Sequence, residues 1–336
     1  MPLDRLSGDY IVLVRKKRKL FAEIARSPAY FHFMLRHSAS PRLPPRFARS
    51  FNALAKSATI RRAPSFIINV ITEKGAEVNM FEVPQDKIDF YRENGFVQFD
   101  DVVTPEELEE LREAVGDVMA ADSERSTGQS PNGAYYKVLN QKVNAWRDSA
   151  AVAKFTLHSR FAEIARRLSG ADGIRLFHDH ALWKMPGDSK PTPWHQDMPY
   201  WPMNKPGALS IWLTLDDVDE NNGCMMFVPG SHKVGKLAGI NLVEPQNLFD
   251  YAKGTGIDQT KPVIVRMKAG SATFHHGLTF HYAHANGTDK PRRVLAVIYM
   301  PDGTTFSGRQ HIVTAGTAFR EGDLLKGRMF PVLAKR

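Results

Sequence analysis

Only one cysteine, Cys224, occurs in the 336 residues. A disulfide framework within the chain is therefore excluded, and the usage fits a reducing compartment. Long apolar runs are missing as well. The clearest one near the start, Ile11 to Val14, is four residues long and is followed by RKKRK. A membrane-spanning helix needs roughly 20 apolar residues, and a secretory signal carries its charges before its apolar stretch rather than after it. The C-terminal AKR is not the S-K-L peroxisomal address. The expectation is a cytoplasmic protein with no integral membrane segment. Internal repeats and low-complexity tracts are also lacking, which argues against a solenoid or an array.

The formal charge of +9 suggests nucleic acid until it is divided along the chain. Residues 1–80 carry 15 Lys and Arg against 5 Asp and Glu, and the remainder carries 30 against 31. The excess belongs to the first quarter, so it gives the main body no nucleic-acid partner. Residues 1–80 read as a basic N-terminal extension, partly disordered. Leu20, Ile24 and Phe31 have helical spacing interrupted by Pro28, and SPRLPPRFARS (Ser40 to Ser50) reads as a linker.

Order is expected from residue 81 to residue 336 as one domain. A short helix ends at Asn94-Gly95, and FVQFDDVV follows as a strand. Thr104, Pro105 and Glu107 then form a capped helix start with a capping box, and that helix reaches about Ala121. A second helix is expected over about 149–168, stopping at Ser169-Gly170. After Gly170 come short strand-like runs separated by turn residues: IRLFHDHALWKM, ALSIWLTLDD, GCMMFVPG, KPVIVRMKAG, SATFHHGLTFHYA and RRVLAVIYM. Strands after a helical start suggest a mainly β sandwich or barrel with helices outside it.

The stretch PTPWHQDMPYWP, Pro191 to Pro202, carries the first chemical signal. Residues i and i+2 of a strand point to one side, so His195 and Asp197 present an imidazole and a carboxylate toward one point. Taken alone, an H-x-D pair is more often a surface ion pair. A third ligand changes that. If SATFHHGLTFHYA is one strand, Ala272, Phe274, His276, Leu278, Phe280 and Tyr282 form an apolar face. Thr273, His275, Gly277, Thr279 and His281 then look into a cavity. His195, Asp197 and His281 make a two-histidine, one-carboxylate set, which leaves three positions of an octahedral metal open, as in non-haem Fe(II) oxygenases. Two of those positions suit the keto acid of 2-oxoglutarate and the third suits O2. The far carboxylate of that co-substrate needs a planar bidentate cation, and Arg292, eleven residues after His281, has the right chemistry for it.

WHQDMPYWP, ENNGCMMFVPGSH, and the spaced His281, Asn286 and Arg292 together resemble the phytanoyl-CoA dioxygenase family of Fe(II)/2-oxoglutarate oxygenases, over about residues 84–306. The resemblance implies a double-stranded β-helix, a jelly-roll barrel with the metal at its mouth. It implies Fe(II) as metal, 2-oxoglutarate and O2 as co-substrates, succinate and CO2 as products, and hydroxylation of a small molecule. The implied ligands are His195, Asp197 and His281, with Arg292 on the co-substrate carboxylate. Trp212, Lys142, His180 and Gln196 are implied as further co-substrate contacts. Asp197 argues for hydroxylation over halogenation, because a halogenase of this type gives up the carboxylate to free a site for chloride. One departure is Ala283, where the family often has a serine that helps hold the far carboxylate.

Two other function classes are expected to compete: a metal or 2-oxoglutarate-binding module without turnover, and a cupin-like metalloenzyme that does not use 2-oxoglutarate. His275, His276 and His284 read as packing or supporting residues, since a triad is already filled. His178 and His180 form an i, i+2 pair with no third ligand at useful spacing. Cys224 reads as a small buried hydrophobe. Trp194, Tyr200 and Trp201 divide evenly between core packing and a pocket wall.

Overall fold

The computed structural model describes residues 59–62, 67–71, 77–81, 83–121, 138, 140–187 and 189–336. The helical spacing at Leu20, Ile24 and Phe31 and the linker at 40–50 lie outside the described residues. Three strands not foreseen in the sequence, β1 (Thr59–Arg62), β2 (Ile67–Ile71) and β3 (Glu77–Phe81), pair in the order β1-β2-β3.

Order continues with α1 (Gln85–Asn94), which ends on Gly95 in the left-handed conformation, φ 82°. A residue with a Cβ is strained there, and glycine is not. Strand β4 (Phe96–Phe99) follows, then α2 (Pro105–Ala120). The α2 capping box is present on both sides. The Glu107 backbone N–H donates to Thr104 Oγ1 at 3.2 Å, and the Thr104 backbone N–H donates to the Glu107 carboxylate at 3.0 Å. The helix expected over 149–168 is two helices, α3 (Ala150–Thr156) and α4 (Ser159–Ser169). His158 caps α4 by accepting from the Arg160 backbone N–H, and Gly170 ends it with φ 72°.

The remaining strands are β5 (Asn140–Val143), β6 (Gly173–Lys184), β7 (Thr192–His195), β8 (Leu209–Thr214), β9 (Met225–Phe227), β10 (Val263–Val265), β11 (Ala272–His276), β12 (His281–Ala283), β13 (Arg292–Pro301) and β14 (Val332–Lys335). They form two sheets. The larger runs β14-β6-β13-β8-β11-β4 with β5 also on β6, and the smaller runs β10-β9-β12-β7. All pairs in both sheets are antiparallel. This is the jelly-roll arrangement.

The larger sheet is buried on both faces, which is why all six residues of β8 are buried instead of alternating with exposed ones. Leu209, Ile211 and Leu213 of β8, Leu295, Val297 and Tyr299 of β13, and Ala272 and Phe274 of β11 face the helices and share a core with Leu111, Val115, Phe155, Phe161 and Ile164. The opposite parity faces the smaller sheet. Trp212, Val294 and Ala296 pack there with Met225, Phe227 and Ala283. Each strand thus sends alternate residues into the barrel, and that inner set carries the site.

Candidate metal centre and the buried arginine

SATFHHGLTFHYA is not one strand. β11 belongs to the larger sheet and β12 to the smaller one, and residues 277–280 carry the chain between them. Gly277 makes the crossing possible, because a Cβ there would lie 2.5 Å from Trp201 Cζ3 and 3.2 Å from the Ala208 carbonyl. His275 and His281 reach the same cavity from different sheets.

β12 pairs with β7 so that His281 lies directly opposite His195. Asp197 follows β7 in a turn. The Nε2 atoms of His195 and His281 are each 3.6 Å from Asp197 Oδ1, and one ligand atom from each of the three residues lies within 4.8 Å of the others. Among the described residues this is the one group of three such side chains. The Nδ1 atoms are engaged on the far side of each ring. His195 Nδ1 meets the Pro193 carbonyl at 2.7 Å, and His281 Nδ1 meets the Thr279 carbonyl at 2.9 Å. A carbonyl only accepts, so each Nδ1 bears the proton and each Nε2 presents its lone pair to the centre. Burial, then the neighbouring His195, hold His281 well below the usual histidine range, which keeps it the neutral ring a metal binds. The donor set fits a divalent metal of the iron class.

Asp197 is oriented by two residues. Ser210 Oγ, from the inner face of β8, donates to Asp197 Oδ2 at 3.2 Å. His275 Nε2 stands 3.4 Å from the same oxygen. This is the role sequence reasoning gave in outline to His275, and the signal for Ser210 is its parity with Trp212 on one strand.

Arg292 opens β13 on the inner face, paired with Lys184 of β6. It is buried, at 3% exposed, yet its Nε and Nη1 have no hydrogen-bond partner. Its guanidinium lies over the Trp212 ring, 5.1 Å from the ring centre, and burial lowers its pKa to about 10. A buried unpartnered guanidinium is costly unless something satisfies it, and a carboxylate is the matching group. The residues present fit the co-substrate. Gly223 leaves room beside it, since a Cβ there would meet Lys184 Cδ at 2.9 Å and Arg292 Nε at 3.5 Å. Ala283 is buried in the apolar wall with Trp212 and Cys224. Thr214, a candidate to replace the missing hydroxyl, donates instead to the Asp216 carbonyl at 2.7 Å.

His180 is also on the inner face. Its Nδ1 meets Gln141 Oε1 at 2.8 Å, and burial lowers its pKa to about 4, with Asp197 opposing the shift. Lys142 and Gln196 have other partners. The Lys142 ammonium donates to the Val118 and Ala121 carbonyls at the end of α2. The Gln196 side chain lies between loops, donating to the Gly235 and Leu278 carbonyls and accepting from the Leu237 N–H. The same two-residue period that brings His195 and Asp197 together turns Gln196 away from them. Of the three aromatics, Trp201 is core, Trp194 packs on Phe249, and the Tyr200 hydroxyl donates to the Ile240 carbonyl at 2.8 Å.

A profile of the phytanoyl-CoA dioxygenase family matches residues 91–294, more than half of the chain. The chain belongs to the phytanoyl-CoA dioxygenase family. Relatives include a probable alpha-ketoglutarate-dependent hypophosphite dioxygenase of Stutzerimonas stutzeri, 26% identical over 62% of this chain and 76% of that protein. The peroxisomal phytanoyl-CoA dioxygenase of Bos taurus is 24% identical over 66% of this chain and 68% of its own. Among solved structures, the alpha-ketoglutarate-dependent carbocyclase SnoK superposes with a TM-score of 0.64 at 27% identity, covering 75% of this chain and 97% of SnoK. The epimerase SnoN in complex with Fe3+, alpha-ketoglutarate and nogalamycin RO also gives 0.64, at 29% identity over 74% and 98%. This member of the phytanoyl-CoA dioxygenase family is a non-haem Fe(II)/2-oxoglutarate-dependent oxygenase. No helix among the described residues is long and apolar enough to cross a membrane.

Proposed function

We propose that this oxygenase hydroxylates a small molecule, holding iron through His195, Asp197 and His281 and the far carboxylate of 2-oxoglutarate through Arg292. The observation that carries the reading is the pairing of two features in one barrel. A triad presents two bare Nε2 atoms and a carboxylate, and a buried guanidinium on the inner face leaves its Nε and Nη1 without hydrogen-bond partners. The bound iron and 2-oxoglutarate supply the oxidation, with succinate and CO2 released.

The chain's own residues do the rest. The Pro193 and Thr279 carbonyls fix the ring tautomers, and Ser210 and His275 aim Asp197. The Trp212 face supports the Arg292 plane. Ala283, Val294, Ala296 and Phe227 form an apolar wall that excludes water. Lys142 and Gln196, with their donors committed to main-chain carbonyls, frame the site in this reading. His180 lies on the inner face with its Nδ1 on Gln141 Oε1 and its ring against that of His178. Relatives whose names include a hypophosphite dioxygenase and a carbocyclase fit a small-molecule substrate of catabolic or secondary metabolism. The single, buried Cys224 fits a cytoplasmic location. With candidate substrates supplied, the iron-loaded protein is expected to form succinate in a substrate-dependent way, and Asp197→Ala to abolish it. Turnover retained in that variant contradicts the reading.

A further inference from the structure

The barrel interior holds a second group of histidines outside the metal triad, His180 among them. Its origin is a bulge. The register of β6 against β13 slips by one residue at Phe177, so that His178 lies opposite Ile298 while Leu176 lies opposite Tyr299. Without the slip, His178 would follow Leu176 and Ile174 toward the helices. With it, His178 joins His180, Leu182 and Lys184 on the inner face, as bulges re-aim side chains elsewhere. The His178 ring centre is 5.2 Å from that of His180 and 5.7 Å from that of His311. Phe177, whose ring lies against those of His178 and His311, shares a core group with Met198, the residue after Asp197.

His178 is 4% exposed, and its Nε2 has no hydrogen-bond partner. Its Nδ1 meets the Asp179 carbonyl at 3.1 Å, so Nδ1 bears the proton and Nε2 is a bare acceptor in the neutral ring. Burial, with His180 and His311 beside it, holds His178 well below the usual histidine range. His311 Nδ1 accepts from the Val313 N–H at 3.2 Å, which puts the His311 proton on Nε2, yet no group among the described residues donates to His178 Nε2.

His311 comes from the segment after β13, whose Phe306, Val313, Leu325 and Phe330 pack against Met198, Trp201 and Phe177. Residues 306–319 of that segment surround an open pocket of about 590 Å³. Its polar lining is Arg309, Gln310, His311, Thr314 and Thr317, and the Glu321 carboxylate stands against Gly308 of the same lining. Arg309 is exposed and has no ion-pair partner among the described residues. The triad is not in the wall of this pocket. His311 is the link, lining it on one side and touching Phe177 and His178 on the other.

We propose that this pocket and the His178–His180–His311 cluster seat the substrate, and that the substrate is a small anion that also carries a hydroxyl or amine donor. Arg309 takes the carboxylate or phosphorus oxyanion and His178 Nε2 accepts from the donor, while the Thr314 and Thr317 hydroxyls stay on the His311 and Thr314 carbonyls. The inference rests on the oxygenase reading above and gives it a substrate class.

The test uses the full chain loaded anaerobically with Fe(II) and 2-oxoglutarate, monitored by its visible charge-transfer band. L-Serine, glycerol 3-phosphate and glycerol serve as probes at millimolar concentrations. At least one of the two anions is expected to shift the band saturably, and which one does so separates a carboxylate seat from a phosphate seat. Glycerol should leave the band alone. Arg309→Gln should weaken the responding anion by about tenfold or more while the 2-oxoglutarate band itself stays intact, which also certifies the fold. A band that neither anion moves, an equal response to glycerol, or an anion affinity unchanged in Arg309→Gln overturns the inference while leaving the oxygenase reading standing. If no band forms at all, the oxygenase reading fails and this inference fails with it.

Discussion

Replacing Arg292 by methionine should have opposite effects on ligand binding and on the stability of the ligand-free protein. In the ligand-free protein the guanidinium is buried with Nε and Nη1 unpartnered. Such an orphaned polar group costs about 1–3 kcal/mol, more when charged. Methionine has comparable length, can lie on the Trp212 ring as the guanidinium does, and removes a charge paired across the strands with the buried Lys184. Arg292→Met without ligand should therefore unfold at a higher denaturant concentration, by an amount equivalent to about 1–3 kcal/mol. For 2-oxoglutarate the balance reverses. A bidentate pair supplies two charge-assisted hydrogen bonds of about 1.5–3 kcal/mol each, so their loss should weaken binding by roughly 3–6 kcal/mol, or about two to four orders of magnitude in Kd. Anaerobic calorimetry with Fe(II) and 2-oxoglutarate measures the second effect, and a denaturant titration of the metal-free protein measures the first. Unchanged co-substrate affinity in the variant, or a less stable ligand-free variant, refutes the assignment of Arg292 as a cation held in wait for a carboxylate.

Other perturbations separate framework from chemistry. Lys142→Met should fray the end of α2 and lower the melting temperature while leaving the Kd for 2-oxoglutarate unchanged, because its ammonium serves the Val118 and Ala121 carbonyls; a large loss of co-substrate affinity would place Lys142 in the site after all. Gly277→Ala forces a Cβ to within 2.5 Å of the buried Trp201 ring, so thermal unfolding should report a loss of about 1–3 kcal/mol, and an unaffected variant would contradict the packing described. Burial pushes the Asp179 carboxyl up to about 7, with Thr156 and Trp146 pulling partway back, against about 3.9 when unfolded. The native state thus keeps a proton that the unfolded chain releases, so the contribution of Asp179 to stability is full below about pH 4 and is lost as pH rises to about 7. Asp179→Asn should remove that decline from denaturant midpoints taken across this range, and parallel curves for the two proteins would contradict it.

The metal triad was legible because its signals are local or tightly spaced. The i, i+2 rule joins His195 to Asp197, and the strand period aims His281 inward. His281 meets His195 and Asp197 even though residues 271–283 are two strands in two sheets. Gly277 reads as a cavity-facing strand residue in sequence, yet it is the point where the backbone passes close under Trp201. The barrel was legible from turn-bounded strands, and the first helices from their caps. The split between α3 and α4 was not, although its signal is local: His158 caps α4 by accepting from the Arg160 backbone N–H. Period alone predicts the strand β6 but not its slip at Phe177, which decides where His178 points. The resemblance attached Lys142 and Gln196 to the co-substrate by position in a motif, whereas their donors go to main-chain carbonyls that no motif specifies. The segment that supplies His311 has no periodicity to read, and its place follows from tertiary packing of Phe306, Val313 and Phe330.

The most direct test of the oxygenase site is an anaerobic titration of the protein with Fe(II) and 2-oxoglutarate, followed in the visible spectrum. A weak charge-transfer band should appear in the parent and vanish in His195→Ala, because the imidazole opposite His281 would be gone from the metal. Iron bound without a band, or a band of full strength in His195→Ala, would contradict chelation of the keto acid at His195, Asp197 and His281.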